Sequence, residues 1–489
     1  MKKNTNNKIL VIFSVVLLFF VCIFISVSAP PISWTEHTID SNLTGAFAVC
    51  TNDFNNDNVI DVLSTGYGMD YGEGEGEVVW YNTSDYETFT KHVIYSGDGY
   101  FKVDSGDMDG DGWIDAVVTN YPGDKVYIFE NDGTPEEGNW TRHTISSDPN
   151  PGYLLKVIDI DKDSDLDVVI NSPYGSRIYW CENEGAFSFS VHDVGDASGC
   201  RGLHAGDIDG DGWNDIIAGL GGGANKVYWY RNDGTPDSGI WSAIKIDDGE
   251  LDSPSSVVCV DMDGDGDNDV LGASLNNGRI SWFENDGTPL GTNWNITRVT
   301  DTPDEELTLA TADLDNDGDM DIIADDINNN MWFWMENLNG VATSWDMHTG
   351  GTDLTHCTYV NASMFKDGGY IDVFVVATMN KSLMWYESNL TTSNENIEFI
   401  SIENSSNGTT IYTKNPTINW SVVSDTSKYW LQIDNDSDFS SPEINITDIN
   451  QWNYPSNCNI NSTRVSFTLT EDLEEYDTYY MRVEALAKN

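Results

Sequence analysis

Asp107-Met108-Asp109-Gly110-Asp111-Gly112-Trp113-Ile114-Asp115 places carboxylates at positions one, three, five and nine of a nine-residue stretch, with a glycine at position six. A tight turn of this kind aims alternate side chains inward, and the hard cation Ca²⁺ takes six to eight oxygens at roughly 2.3 to 2.6 Å. Gly112 tolerates the left-handed backbone that the turn demands. An EF-hand begins the same way, but it requires flanking helices and a glutamate at position twelve, where Val118 stands. The segment Asp115-Ala-Val-Val-Thr119 reads instead as a buried strand. The stretch is therefore a calcium loop of another kind.

It also recurs. Copies begin at Asp53, Asp159, Asp207, Asp261 and Asp313, and a degenerate copy runs from Met364 to Asp372. The starts at 53, 107, 159, 207, 261, 313 and 364 differ by 54, 52, 48, 54, 52 and 51 residues. A period near fifty signals a repeat architecture, in which each unit buries its apolar face only by stacking on its neighbours.

Each repeat reads as four short strands, A to D from the inside outward. Strand A runs into the acidic loop, and the residue four positions before each loop is aliphatic in every copy: Val49, Val103, Leu155, Leu203, Val257, Leu309 and Val360. Strand B leaves the loop, and strand C ends in an aromatic-acid-Asn pattern such as Trp180-Cys181-Glu182-Asn183. D strands are expected to begin at Trp34, Phe89, Trp140, Phe189, Trp241, Trp294 and Trp345, so the first precedes the first strand A and the last strand C has no successor. A closed ring resolves this if Trp34-Thr-Glu-His-Thr-Ile39 supplies the outer strand of the seventh blade, a velcro that leaves only short edges. The fold class is all-β.

On these residues the chain resembles the FG-GAP/VCBS repeat family, which includes the seven-bladed propeller of integrin alpha subunits and many secreted microbial surface proteins. The resemblance covers residues 33–388. It implies calcium ligands at loop positions one, three, five and nine, with the backbone carbonyl of position seven. These are Asp53, Asn55, Asp57 and Asp61; Asp107, Asp109, Asp111 and Asp115; Asp159, Asp161, Asp163 and Asp167. The later copies supply Asp207, Asp209, Asp211 and Asp215; Asp261, Asp263, Asp265 and Asp269; Asp313, Asp315, Asp317 and Asp321. About six structural Ca²⁺ ions are expected, and none in the seventh copy, where Met364, Lys366 and Gly368 stand at ligand positions. After a polar linker at 389–396, residues 397–489 look like a fibronectin type III sandwich with Tyr479 as its corner tyrosine, lacking its last strand.

The charge balance, 23 basic against 81 acidic residues for a net of -58, disfavours nucleic acid and anionic membrane surfaces as partners. Lysines in residues 1–8 followed by an apolar run over 9–27 give an export signal, or an uncleaved N-terminal anchor, within residues 1–29. Either places the chain outside the cytoplasm, secreted or at the cell surface. Sequons such as Asn42, Asn82 and Asn295 then become candidate glycan acceptors. The cysteines lack a Cys-x-x-Cys pair, and Cys181 with Cys200 is the one pair that suggests a disulfide.

The repeat register assigns most of the tempting chemistry to packing. His37, His92, His143, His192 and His348 share one slot on strand D, and Trp80, Trp180, Trp229, Trp282, Trp334 and Trp385 share one on strand C. A metalloenzyme is disfavoured, because every loop acid is spent on one hard ion and no histidine marks an open position. Candidate ligand-binding residues lie at the face opposite the acidic loops: Tyr100, Tyr153 and Arg201, with Asp104, Lys156 and His204 at one level near the axis. The expected activity is binding of an extracellular protein or glycan in adhesion or envelope organisation. Two rivals are a glycan-active enzyme using Asp104, Lys156 and His204, and a purely structural envelope component.

Overall fold

The computed structural model describes residues 32–389 apart from 69–74, 98, 121–124, 146–151, 153, 173–175, 240, 248, 292–293, 302–307 and 367–369. Beyond residue 399 it describes backbone strands only. The N-terminal segment 1–29, most of the linker, Tyr153 and Tyr479 lie outside the described residues. Among the described residues no helix is long and apolar enough to cross a membrane.

Seven four-stranded antiparallel sheets form a seven-bladed propeller. Blade 1 consists of strands Ala46–Asn52, Asp61–Gly66, Gly76–Asn82 and Thr90–Gly97. Blade 2 consists of Tyr100–Gly106, Asp115–Asn120, Lys125–Glu130 and Thr141–Ile145. In both, strand A meets strand B across the acidic loop, and the same order repeats through blade 6, which ends on Trp345–Gly351. The seventh sheet contains Cys357–Ser363, Asp372–Ala377 and Ser382–Ser388. Its fourth strand is Trp34–Asp40, with Trp34 opposite Ser388 and His37 opposite Trp385.

Strand B is buried along its whole length in all seven blades, for example Asp167–Ser172 and Asp215–Leu220. Its apolar runs have neighbouring sheets on both faces, which is why they do not alternate with polar residues. The aliphatic residue of strand A is buried in six blades, Val49 at 0 % exposed and Val360 at 2 %, while Leu203 is half-buried. Each apolar cluster straddles two neighbouring blades. One joins Ala48 and Leu63 of blade 1 to Val103 and Val118 of blade 2. Another joins Val62 and Tyr81 of blade 1 to Phe374 and Trp385 of blade 7, so the last blade packs on the first.

The tryptophan slot on strand C is fully interior. The strand D histidines lie across from it: His92 stacks on Trp80 at 4.5 Å, His192 on Trp180 at 4.5 Å and His37 on Trp385 at 4.3 Å between ring centroids. Except at His92, where strand C carries Asn82, their Nε2 atoms meet the glutamate two residues further along strand C, as His192 meets Glu182 at 2.7 Å and His348 meets Glu336 at 2.6 Å.

The Cys181 and Cys200 pairing is corrected: both thiols are free and buried. Cys181 belongs to the cluster between blades 2 and 3, whereas Cys200 belongs to the one between blades 3 and 4. The two thiols face opposite sides of blade 3. Beyond residue 399 the strands form two sheets. One pairs Ile400–Ile402, Thr417–Ser421, Arg464–Thr468 and Cys458–Ile460, and the other pairs Ile444–Ile449, Thr426–Asp434 and Tyr480–Ala487.

Candidate functional site

The acidic loops hold their carboxylates in place with the loop backbone itself. In blade 2, Asp107 Oδ1 accepts the Gly110 amide at 2.8 Å and Oδ2 accepts that of Gly112 at 2.9 Å. Asp109 accepts the Asp111 amide at 3.1 Å, and Asp111 accepts that of Trp113 at 2.8 Å. Asp115 closes the loop by accepting Met108 N at 2.9 Å and Asn131 N at 2.8 Å. Positions four and six take a left-handed backbone, Gly110 at φ 76° and Gly112 at φ 92°. Asn56 and Asn58 do the same in blade 1, where asparagine is the next best residue for that region.

This arrangement can hold a cation. Oxygens of Asp107, Asp109 and Asp115 lie within 4.8 Å of one another, as do those of Asp159, Asp161 and Asp167 and those of Asp261, Asp263 and Asp265. The position-nine aspartates are interior, and burial pushes Asp115, Asp167 and Asp269 up to about 7 despite two backbone hydrogen bonds each. A carboxylate that is buried among other carboxylates is destabilised until a positive charge joins it. The donor set is oxygen only, which selects a hard ion such as Ca²⁺ over zinc or copper. The residues present therefore fit the ion that the loop pattern implies.

A second feature, which the sequence pattern did not disclose, ties the loops of blades 1 to 5 to the next blade. The asparagine that ends strand C donates from Nδ2 to the position-two carbonyl of the preceding blade's loop. Asn131 reaches Phe54 O at 2.8 Å, Asn183 reaches Met108 O at 2.8 Å, Asn232 reaches Ile160 O at 2.9 Å, and Asn285 reaches Ile208 O at 2.7 Å. Asn337 reaches Met262 O at 3.3 Å. The donor and acceptor lie 72 to 77 residues apart, beyond the reach of any local pattern.

At the other end of strand A lies an axial cavity of about 670 Å³ lined by all seven inner strands. Asp104, Lys156, His204 and Arg201 line it, together with Lys102, Asp325, His356 and Tyr359. The first three do not assemble as a reactive trio. Lys156 Nζ pairs with Asp104 Oδ2 at 3.1 Å, and the same oxygen accepts Val157 N at 3.0 Å. His204 Nδ1 accepts Cys259 N at 3.3 Å from the neighbouring blade. Asn361 Nδ2 donates to Val49 O in the same manner at 3.3 Å. Inner strands have a free edge toward the channel, and these side chains satisfy its backbone groups from one blade to the next. Burial, with the Lys156 ammonium beside it, pulls His204 down to about 4, so its ring is neutral at physiological pH.

Lys102 is the cavity's other cation of note. Its Nζ lies 3.9 Å from the centre of the Tyr359 ring, and burial pulls it down to about 8. Arg201 is exposed at the mouth. Tyr100, expected at the ligand face, is instead 1 % exposed, because strand A of blade 2 already begins there and turns the ring into the core between blades 1 and 2. Lys102 was missed because it sits two positions before the level at which Asp104, Lys156 and His204 were aligned.

The sequence matches a family model described as FG-GAP-like repeat five times, over residues 53–118, 107–170, 159–218, 207–272 and 261–324. Together these span 53–324, or 272 of 489 residues. No curated protein matches the sequence. Among solved structures, the crystal structure of BBS1N in complex with ARL6DN, soaked with mercury, is similar at 12 % identity over 73 % of this chain and 98 % of that chain, with a TM-score of 0.49.

Proposed function

Because the chain belongs to the FG-GAP-like repeat family, we propose that it is an extracellular binding module, secreted or held at the cell surface, whose acidic loops carry structural Ca²⁺. In this reading the pairing of Trp34–Asp40 with Ser382–Ser388 is the velcro that closes the ring. The two C-terminal sheets are the fibronectin type III-like domain, and exposed sequons carry glycans. The ligand is an extracellular protein or glycan that enters the axial cavity on the side away from the acidic loops.

One observation carries this reading. In a chain of net charge -58, with only 23 basic residues, three of them, Lys102, Lys156 and Arg201, line a single cavity of about 670 Å³. That volume suits a small group or one or two sugar units, and ligand sites commonly combine apolar walls with a few convergent polar groups. The cations favour a ligand with an acidic group. The glycan-active enzyme loses support from the same geometry, because Asp104 is held by an ammonium and an amide, and His204 spends its acceptor nitrogen on Cys259. Neither is placed as a free general base.

A glycan array that includes uronate-bearing and sialylated glycans tests the proposal when read beside a polysaccharide-degradation screen. Binding of acidic glycans, lost in Lys102→Ala and Arg201→Ala, is the expected result. Turnover of any polysaccharide would restore the enzyme reading, and neither binding nor turnover would favour a structural envelope component.

A further inference from the structure

The strand C residue two positions after the tryptophan slot faces the acidic loop of its own blade. It is Glu130 in blade 2, Glu182 in blade 3, Glu284 in blade 5 and Glu336 in blade 6. Each adds negative potential to its loop: Glu130 acts on Asp109, Glu182 on Asp161, Glu284 on Asp263 and Glu336 on Asp315. In blade 4 the position is Arg231. Its Nε donates to Asp209 Oδ2, and its Nη2 donates to Asp211 Oδ2 at 2.9 Å. Both carboxylates belong to the predicted calcium set of that loop.

The guanidinium also changes the loop. In blades 2 and 5 the position-one carboxylate accepts the position-four amide at 2.8 Å, and position three accepts the position-five amide at 3.1 to 3.2 Å. In blade 4 the corresponding oxygens, Asp207 Oδ1 and Asp209 Oδ1, are buried without a partner. Arg231 replaces the loop amides as the partner of Asp209, although oxygens of Asp207, Asp209 and Asp215 stay within 4.8 Å of one another as in blades 2 and 3. Blade 7 shows a related substitution: Lys366, at the third loop position, meets the strand C acid Glu387 at 2.5 Å. A fixed cation thus sits at the loop in blades 4 and 7.

Resting on the calcium reading above, we infer that blade 4 is neutralised by Arg231 in place of a tightly bound divalent ion, so that the ring carries five strong calcium sites rather than six. An ion entering blade 4 meets one positive charge where those of blades 2, 3, 5 and 6 meet a negative one and that of blade 1 meets the neutral Asn82. It must also recover Asp209 and Asp211 from a two-point charged hydrogen bond, which is among the stronger pairings that a carboxylate makes. Asp207, Asp209 and Asp215 still bring oxygens within 4.8 Å of one another, but an ion seated on them sits beside the guanidinium charge and shares Asp209 with it.

The test counts ions. The full chain is dialysed to equilibrium at a free calcium tenfold above the midpoint of its tight phase, and bound calcium is measured by elemental analysis against protein. Five ions per chain are expected for the wild type and six for Arg231→Glu, which installs the residue its relatives carry. Arg231→Gln serves the same purpose if the glutamate disturbs folding, and it is also expected to give six. Six tight ions in the wild type, or five in both variants, would overturn this inference while leaving the calcium reading standing. No bound calcium in any of them would remove both.

Discussion

Asn183→Ala tests whether the ring is held by its cross-blade asparagines. Asn183 is 1 % exposed, donates to Met108 O at 2.8 Å and Leu166 O at 3.1 Å, and accepts Gly185 N at 3.1 Å. Truncation leaves one acceptor fully interior and two groups partly so. An unpaired buried group costs roughly 1 to 3 kcal/mol, so about 2 kcal/mol for Met108 O and about 0.5 kcal/mol for each of the others gives a loss near 3 kcal/mol. The unfolding entropy is about 2.1 cal/mol/K per residue, or about 0.75 kcal/mol/K for the ~350 residues of the propeller, so the melting temperature should fall by about 4 °C. Differential scanning calorimetry in saturating calcium reads this directly. Glu184→Ala, one residue away and exposed, is the control and should shift the melt by less than about 1 °C. If Asn183→Ala melts within 1 °C of the control, the asparagine is not a structural tie and the account of blade cohesion fails.

Chelation should destabilise the whole ring. With free calcium at about a hundredfold the dissociation constant, each filled site adds about 2.7 kcal/mol, so excess EDTA should lower the melting temperature by many degrees, and an unchanged melt would remove the metal assignments. Blade 7 should exchange its amide protons fastest. Ser388 replaces the tying asparagine toward blade 6 and its hydroxyl is buried without a partner, while Thr83 takes that place in blade 1 and turns its hydroxyl to Tyr86 N at 2.9 Å. Equal protection of Phe374 and Ile217 in hydrogen exchange would contradict this. Binding of an acidic ligand in the axial cavity should weaken as pH rises through about 8, because Lys102 loses its charge there, and below that value its ammonium is retained. Calorimetry in buffers of different ionisation enthalpy should show proton uptake near pH 8, and Lys102→Arg, which stays charged, should abolish it.

The fold was legible because its information is local. An Asp-x-Asp-x-Asp turn, an aliphatic residue four positions before it and an aromatic slot after it each concern neighbours along the chain, and they located strand starts to within a residue: Thr90 for Phe89, Thr141 for Trp140 and Ser242 for Trp241. The acidic residues of the loops follow from the same local code. What escaped depends on partners brought together by ring closure. Asn183 was visible as the end of an aromatic-acid-Asn motif, but its target, Met108, lies 75 residues earlier. Tyr100 was assigned to the ligand face by its nearness to a turn, and a shift of one or two residues in where strand A begins was enough to bury it. The pairing of Cys181 with Cys200 failed for the related reason that nearness in sequence says nothing about which face of a blade a thiol occupies.

The scarce cations differ in how their charge is answered. In a chain with 81 acidic residues, a lysine or arginine has a carboxylate near it almost anywhere, so proximity to acid carries little meaning. Burial of the pair carries more, since two charges leave water only where geometry compensates for their desolvation. By that measure Arg231 on Asp209, whose side chain is 8 % exposed, stands apart from surface pairs such as Arg177 on Asp193, where the acid is 50 % exposed. Lys102 stands apart in the other direction, as a cation in the cavity that rests on a tyrosine ring and pairs with no carboxylate at hydrogen-bonding distance among the described residues. The first site has its counter-charge built in. The second has a charge that is only partly answered, and on that difference rest the two proposals: a weakened ion site in blade 4 and an acidic ligand in the cavity.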